Sequence, residues 1–188
     1  MSKLKDICTI SSGQTFRTKI EHNPNGEVAV IQMKDMNDDY TGIGSELSLV
    51  AFDEISNSQI LQKGDVLFLA RGNNNKAFVF DMDDPAVAVS LFFVLRPKKE
   101  KIDPYYLAWF LNQPNTQNYL QSTQEGSTVA SIKKQALGDL EIKVPSLNEQ
   151  QKIASIYHLH LKEMELMDQI REKRNELINA VLIEKIQN

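Results

Sequence analysis

"NEQQKIASIYHLHLKEMELMDQIREKRNELINAVLIEKIQ" runs from Asn148 to Gln187 without a glycine or a proline. The two residues that most strongly interrupt an α-helix are missing, so the stretch can form one continuous helix. Its start is marked: Pro145 ends the preceding apolar run, and Ser146 and Glu149 stand three apart, the spacing of a capping box. A helix from here to about Ile186 extends about 58 Å at about 1.5 Å per residue, longer than a domain of this size is wide. It must protrude. Its apolar residues Ile153, Ile156, Tyr157, Leu161, Met164, Met167, Ile170, Leu177, Ile178, Val181, Leu182 and Ile186 lie mostly three or four apart and form one stripe, interrupted by "REKRNE" from Arg171 to Glu176. A protruding apolar stripe is an exposed patch of the kind that marks an interaction site, and this spacing suits a partner helix. Ile153, Ile156, Tyr157, His160, Met164, Met167, Ile170, Leu177, Ile178 and Val181 are the expected interface. The competing arrangement folds the stripe back onto the chain's own globule.

Upstream the texture changes. "VAVIQ" (Val28 to Gln32), "DVLFLA" (Asp65 to Ala70), "KAFVF" (Lys76 to Phe80), "AVAVSLFFVL" (Ala86 to Leu95) and "LEIKV" (Leu140 to Val144) read as strands, bounded by the turn-forming clusters "NPNG", "KG", "RGNNN", "DDP" and "RPKK". Helical pieces intervene. "LKDICTI" puts Leu4, Ile7 and Cys8 on one face; "DPYYLAWFL" opens with Asp103 as a cap and Pro104 in the first turn; "QNYLQST" reads as a third. The expected fold class is α+β: a mixed globule over residues 1–146, then a long C-terminal helix over 147–188 that pairs as an antiparallel coiled coil.

The chain's 188 residues suffice for a hydrophobic core without staples. A single cysteine, Cys8, excludes a disulfide framework and suits a reducing compartment. With no signal-peptide pattern and no apolar run of the roughly 18 residues a bilayer span needs, the expectation is a cytoplasmic protein with no membrane partner. Net charge is −4, which argues against a strong non-specific nucleic-acid binder while leaving room for a local basic patch.

Three blocks carry a family resemblance: "LKDICTISSGQTF" at the start, "LQKGDVLFLARG" in the middle, and "YYLAWFLN" followed by "EGSTVASIKKQALGDLEIKVPSLNEQQKIASI" leading into the helix. Their order, above all G-S-T-V, a short helix, a strand ending at proline and then "NEQQKIA", resembles the DNA-specificity (S) subunits of type I restriction-modification systems. It covers nearly the whole chain. A full-length member has two target-recognition domains held apart by two antiparallel spacer helices, and this sequence matches one of each. The resemblance implies a subunit that does no chemistry and needs no cofactor or metal. It implies one that reads double-stranded DNA and docks a methyltransferase (M) subunit and a restriction or translocase (R) subunit. A homodimer through the terminal helices restores the two-headed form and predicts a split palindromic target. A rod of this length spans the roughly 34 to 36 Å between successive major-groove half-sites.

Reading bases needs paired donors and acceptors on loops that enter the major groove, and positioning needs cations and N–H groups facing phosphates. "SSGQTFRTK" offers Gln14 for adenine, Thr15 and Thr18 as short hydroxyls, and Arg17 and Lys19 for guanine or phosphate. "ARGNNNKAF" offers Arg71, Asn73, Asn74, Asn75 and Lys76 beside Gly72. In "STQEGSTVASIKK", Gly126, Ser127 and Thr128 precede a short helix whose N–H groups suit a phosphate, and Lys133 and Lys134 add charge. Lys34, after "VAVIQM", is a fourth candidate. Each stretch also has the composition of a plain surface turn.

Two other functions are open to the residues. Glu141 and Lys143 have the E-x-K spacing found in magnesium nucleases, although strand alternation puts Leu140, Ile142 and Val144 inward and the charges in water. A coiled-coil adaptor without DNA binding would use the helix alone. The cluster "DMDDP" from Asp81 to Pro85 lacks the spaced ligands of a calcium loop. His158 and His160 lie about 200° apart around a helix, and so cannot share a metal in one chain. No phosphate-binding loop, dinucleotide motif, nucleophile elbow or adenine-methyltransferase N-P-P-Y/F motif is present.

Overall fold

Val66, Leu67, Phe68 and Leu69 are all buried, which a strand achieves only when both of its faces are covered. The computed structural model, which describes residues 1–37, 42–44, 46–72, 75–124 and 130–187, shows what covers them. In chain order the elements are β1 (Ser2–Lys3), α1 (Leu4–Ile7), β2 (Cys8–Ser12), β3 (Val28–Ile31), β4 (Ser48–Val50), β5 (Val66–Leu69), β6 (Ala77–Val79), β7 (Ala86–Ala88), β8 (Phe92–Pro97), α2 (Pro104–Asn112), α3 (Pro114–Ser122), α4 (Lys134–Asp139), β9 (Glu141–Ile142) and α5 (Leu147–Gln187). An antiparallel sheet of order β2-β8-β5-β6 forms the middle layer. On one face Val66, Phe68, Phe93 and Leu95 pack against α1, α2, α3, α4 and the root of α5. On the other, Leu67, Leu69, Phe92 and Val94 pack against a second sheet of order β4-β3-β7. Alternate residues of one strand thus feed two cores.

Three predicted elements are corrected. "AVAVSLFFVL" is two strands, because β7 runs parallel to β3 in the outer sheet and β8 antiparallel to β5 in the middle one. The chain changes sheets at Ser90 and Leu91. An unbroken apolar run carries no mark of such a change, since both sheets bury what they receive. "LKDICTI" is a helix only from Leu4 to Ile7; Cys8 opens β2, whose partner strand β8 is distant in sequence. Strand β4 was not foreseen, and "LEIKV" is reduced to Glu141–Ile142 paired with β1, with Ile142 inward and Glu141 and Lys143 exposed. Burial pushes the Cys8 thiol up to about 12, so Cys8 is packing.

The loop before β5 is fixed by charge. Gly64 adopts φ +95°, a left-handed value that favours glycine, and the turn it makes lets Asp65 accept from Gln62 N at 2.8 Å. The same carboxylate, 1% exposed, takes two bonds from Arg96, at 2.8 Å from Nε and 2.7 Å from the terminal nitrogen.

Helix α5 spans 41 residues, about 61 Å, and begins with the predicted box. Ser146 N donates to Glu149 Oε2 at 3.1 Å and Glu149 N donates to Ser146 Oγ at 3.4 Å. Only its first turns touch the globule. Gln150 is fully buried, accepts from Asp103 N at 2.8 Å and donates to Lys101 O and Pro145 O; Ala154 is also buried, and Ile153 packs on the helical-layer core. Tyr157 is half-buried and its hydroxyl accepts from Asn112 Nδ2 at 3.2 Å. Ile153 and Tyr157, expected in the partner seam, are therefore partly committed to their own globule. From Lys162 to Ile186 the helix is exposed, among its apolar residues Met167, Ile170, Leu177 and Val181. The folded-back arrangement does not occur. Among the described residues, no helix is long and apolar enough to cross a membrane.

Candidate nucleic-acid interface

Four strands end at one rim. Ile31, the last residue of β3, receives Val89 N on its carbonyl at 3.0 Å, and β7 leads directly into Val89. Gly13, just past β2, donates to Phe92 O at 3.0 Å, and Ala70, just past β5, donates to Leu91 O at 2.9 Å. The turn Val89–Leu91 therefore forms a hub, with the loops after β2, β3 and β5 arranged around it. Position 13 requires glycine for reasons of space, because a Cβ there would lie 2.4 Å from both Ala88 O and Val89 O.

Around this hub the sequence candidates separate into those the fold gathers and those it does not. Gln14 is gathered: its N–H donates to Ala88 O at 2.8 Å and its side chain is half-exposed, with Thr15 exposed beside it. Arg17 follows, exposed. Thr18 and Lys19 have by then travelled along the outer sheet to line a depression with His22 and Val50, away from the hub. Lys34, exposed in the 3₁₀ turn Met33–Asp35 after β3, stands at the rim 4.0 Å from Asp35. Arg71 is exposed, and among the described residues neither Arg17 nor Arg71 forms an ion pair. Elsewhere on the globule Lys3, Lys5, Lys63 and Arg96 are all paired with carboxylates. An unpaired guanidinium suits a phosphate or a guanine edge.

The "RGNNNK" turn is tied to the third candidate stretch. Arg71 bridges Ser131 antiparallel, Gly72 N donates to Ala130 O at 3.1 Å, and Ile132 N donates to Ala70 O at 2.9 Å. Gly72 holds φ +91°, so a side chain there is strained. Asn75 is a correction. Expected on the DNA-facing surface, it is fully buried, donating to Leu69 O at 2.9 Å and accepting from Gln124 Nε2 at 2.6 Å, while its carbonyl accepts from Gln117. It ties α3 to the turn and has no free face. Lys76 is half-buried. Asn73, Asn74, Ser127 and Thr128 lie outside the described residues.

The phosphate site expected at a helix N-terminus rests on Gly126, Ser127 and Thr128, which lie outside the described residues. The short helix that follows, α4, begins at Lys134, with Lys133 as its cap, and has six residues. Lys133 and Lys134 are exposed, but Lys134 lines a separate depression with Lys5, Thr9 and Lys98. Sequence reading missed Ser90 and Leu91, half-exposed at the centre of the hub; they were hidden inside what read as one strand.

The architecture is thus a two-sheet, helix-backed head with a loop-bearing rim, carried on a long exposed helix. Solved S subunits are similar to it in fold. The type I restriction-modification S subunit from M. genitalium superposes with a TM-score of 0.60 at 16% identity, over 87% of this chain and 39% of that one. The HsdS subunit from Thermoanaerobacter tengcongensis gives 0.63 at 18%, over 89% and 38%. In sequence, residues 1–175 match the family described as type I restriction modification DNA specificity domain, and the chain belongs to that family. The type I restriction enzyme MjaIX specificity subunit of Methanocaldococcus jannaschii is 28% identical over 192 residues, which take in all of this chain and 43% of that protein. The chain spans less than half the length of these relatives.

Proposed function

We propose that the chain is a non-catalytic DNA-recognition subunit that reads one short half-site with the rim around Val89–Leu91. Two copies, joined through α5, address a split palindrome, and the assembly docks a methyltransferase subunit and a restriction subunit. Family membership supports the DNA reading. The observation that carries it to particular residues is the convergence of the loops after β2, β3 and β5 on one hub, with Gln14, Lys34 and Arg71 around it. Loops on a rigid scaffold are where readout residues are held. Glu141 lies on the two-residue strand β9 and Lys143 just past it, both exposed, and among the described residues no group of three or more His, Cys, Asp or Glu could hold a metal.

Selection from random duplexes by the chain together with a cognate methyltransferase subunit tests the proposal. An inverted repeat with a fixed gap is expected. Arg71→Ala and Gln14→Ala should each weaken selected binding by about 1–3 kcal/mol, with relaxed preference at one base pair per half-site if the contact is to a base. No enriched motif, with intact binding to a partner helix, overturns DNA recognition in favour of an adaptor.

A further inference from the structure

From Ile153 to Glu184, residues alternately three and four apart trace one seam on α5, apolar except at His160, Glu163, Arg174 and Glu184. Arg174 has no carboxylate within helical reach: Ile170, Arg171, Leu177 and Ile178 occupy the positions three and four away. Among the described residues it forms no ion pair. Of the positions three and four away from Glu163, which are Leu159, His160, Leu166 and Met167, the one cation is His160, at 3.9 Å, a pair only when the imidazole is protonated. Two opposite charges, each short of a partner on its own helix, stand in a seam that association would cover. A charge buried there is costly unless an opposite one meets it.

We propose that two copies of this chain pair antiparallel through α5 in one register, with Glu163 of each copy facing Arg174 of the other. This rests on the reading that α5 pairs with a second copy, and adds the alignment. A parallel pair in register would set Glu163 against Glu163 and Arg174 against Arg174. The antiparallel pair makes two complementary contacts about a twofold axis passing between Asp168 and Gln169. Met167 then meets Ile170, and Ile156 meets Val181. Slipping by one heptad either way sets Arg174 against Ile156 or Ile170 and buries both charges against apolar side chains.

The register also sets a distance. It separates the two Gln150 anchors by about 56 Å along the helix axis, and each heptad of slip changes that by about 10 Å, or about three base pairs at about 3.4 Å each. The Glu163–Arg174 pair is therefore a specificity-determining contact for the gap between half-sites, although it never touches DNA.

Dilution series by analytical ultracentrifugation on the full chain, together with E163R, R174E and E163R/R174E, provide the test. Each single variant should weaken dimerisation on the order of tenfold or more through like-charge contacts, and the double variant should return to near the parent value. An equimolar mixture of the two singles should form heterodimers. Both side chains are exposed, so thermal unfolding of the globule serves as the folding control. A parent dimer indifferent to the single changes, or a double variant no better than the singles, overturns the register while leaving pairing intact. A monomeric parent chain overturns the pairing itself.

Discussion

Leucines, isoleucines and valines in the head and in the outer part of α5 are the same chemistry in opposite circumstances. Leu67, Leu95, Leu107 and Leu111 have no more than a trace of surface, whereas Leu159, Ile170 and Leu177 are about two-thirds exposed. In the head the apolar surface is already removed from water and contributes to folding, at roughly 25 cal/mol per Å². In the helix that contribution is still available to association. A residue's hydrophobicity therefore says little about its role until its neighbours are known.

The sharpest way to break this contrast is a matched pair of truncations. Phe68→Ala, in the strand between both cores, should cost the head about 3–5 kcal/mol. Ile170→Ala should change unfolding of the head by less than about 0.5 kcal/mol while weakening self-association. Denaturant melts followed by the fluorescence of Trp109, which packs beside the helical-layer core, measure the first effect and sedimentation the second. Equal losses of head stability would mean that the outer helix packs on the head in solution.

A smaller effect should appear at the junction of the two regions. Gln150→Ala leaves Asp103 N, Lys101 O and Pro145 O without their shared partner and should cost about 1–3 kcal/mol. Hydrogen exchange should rise in the first turns of α5 before it rises in β5. Exchange unchanged at this junction would show that Ile153, Ala154 and Tyr157 suffice to seat the helix.

The smallest is a pH effect. Asp139 accepts from Lys5 at 2.7 Å and Lys3 at 3.1 Å, and these bonds, Lys5 first, hold its carboxyl below the ordinary value of 3.8. A carboxylate depressed in the folded state stabilises fully above its ordinary value and loses that contribution as pH falls through its folded one. Asp139→Asn should therefore lower the denaturant midpoint slightly at pH 7, with the difference shrinking below about pH 4. A gap that widens in acid would contradict the assignment.

Much of this organisation was legible in the chain. The capping box at Ser146 and Glu149, the N-cap at Asp103 with Pro104, and the uninterrupted stretch to Gln187 are local signals, and local hydrogen bonding realises them. The rim was legible only in parts. Gln14, Lys34 and Arg71 were named from three separate stretches, but their convergence depends on pairings between strands far apart in sequence, and the switch at Ser90 was concealed because both sheets accept apolar residues. Asn75 looked like a readout residue because buried and exposed asparagines share one composition; only the approach of α3, through Gln117 and Gln124, encloses it.

The sequence alone determined that a long helix follows a mixed head, because helix continuity, caps and turns are decided within a few residues of themselves. It also contained the unmatched charges at Glu163 and Arg174. Tertiary structure decided which apolar residues are spent on the head and which face water. It also decided which polar loops share a rim, because both outcomes are set by what distant segments bring alongside.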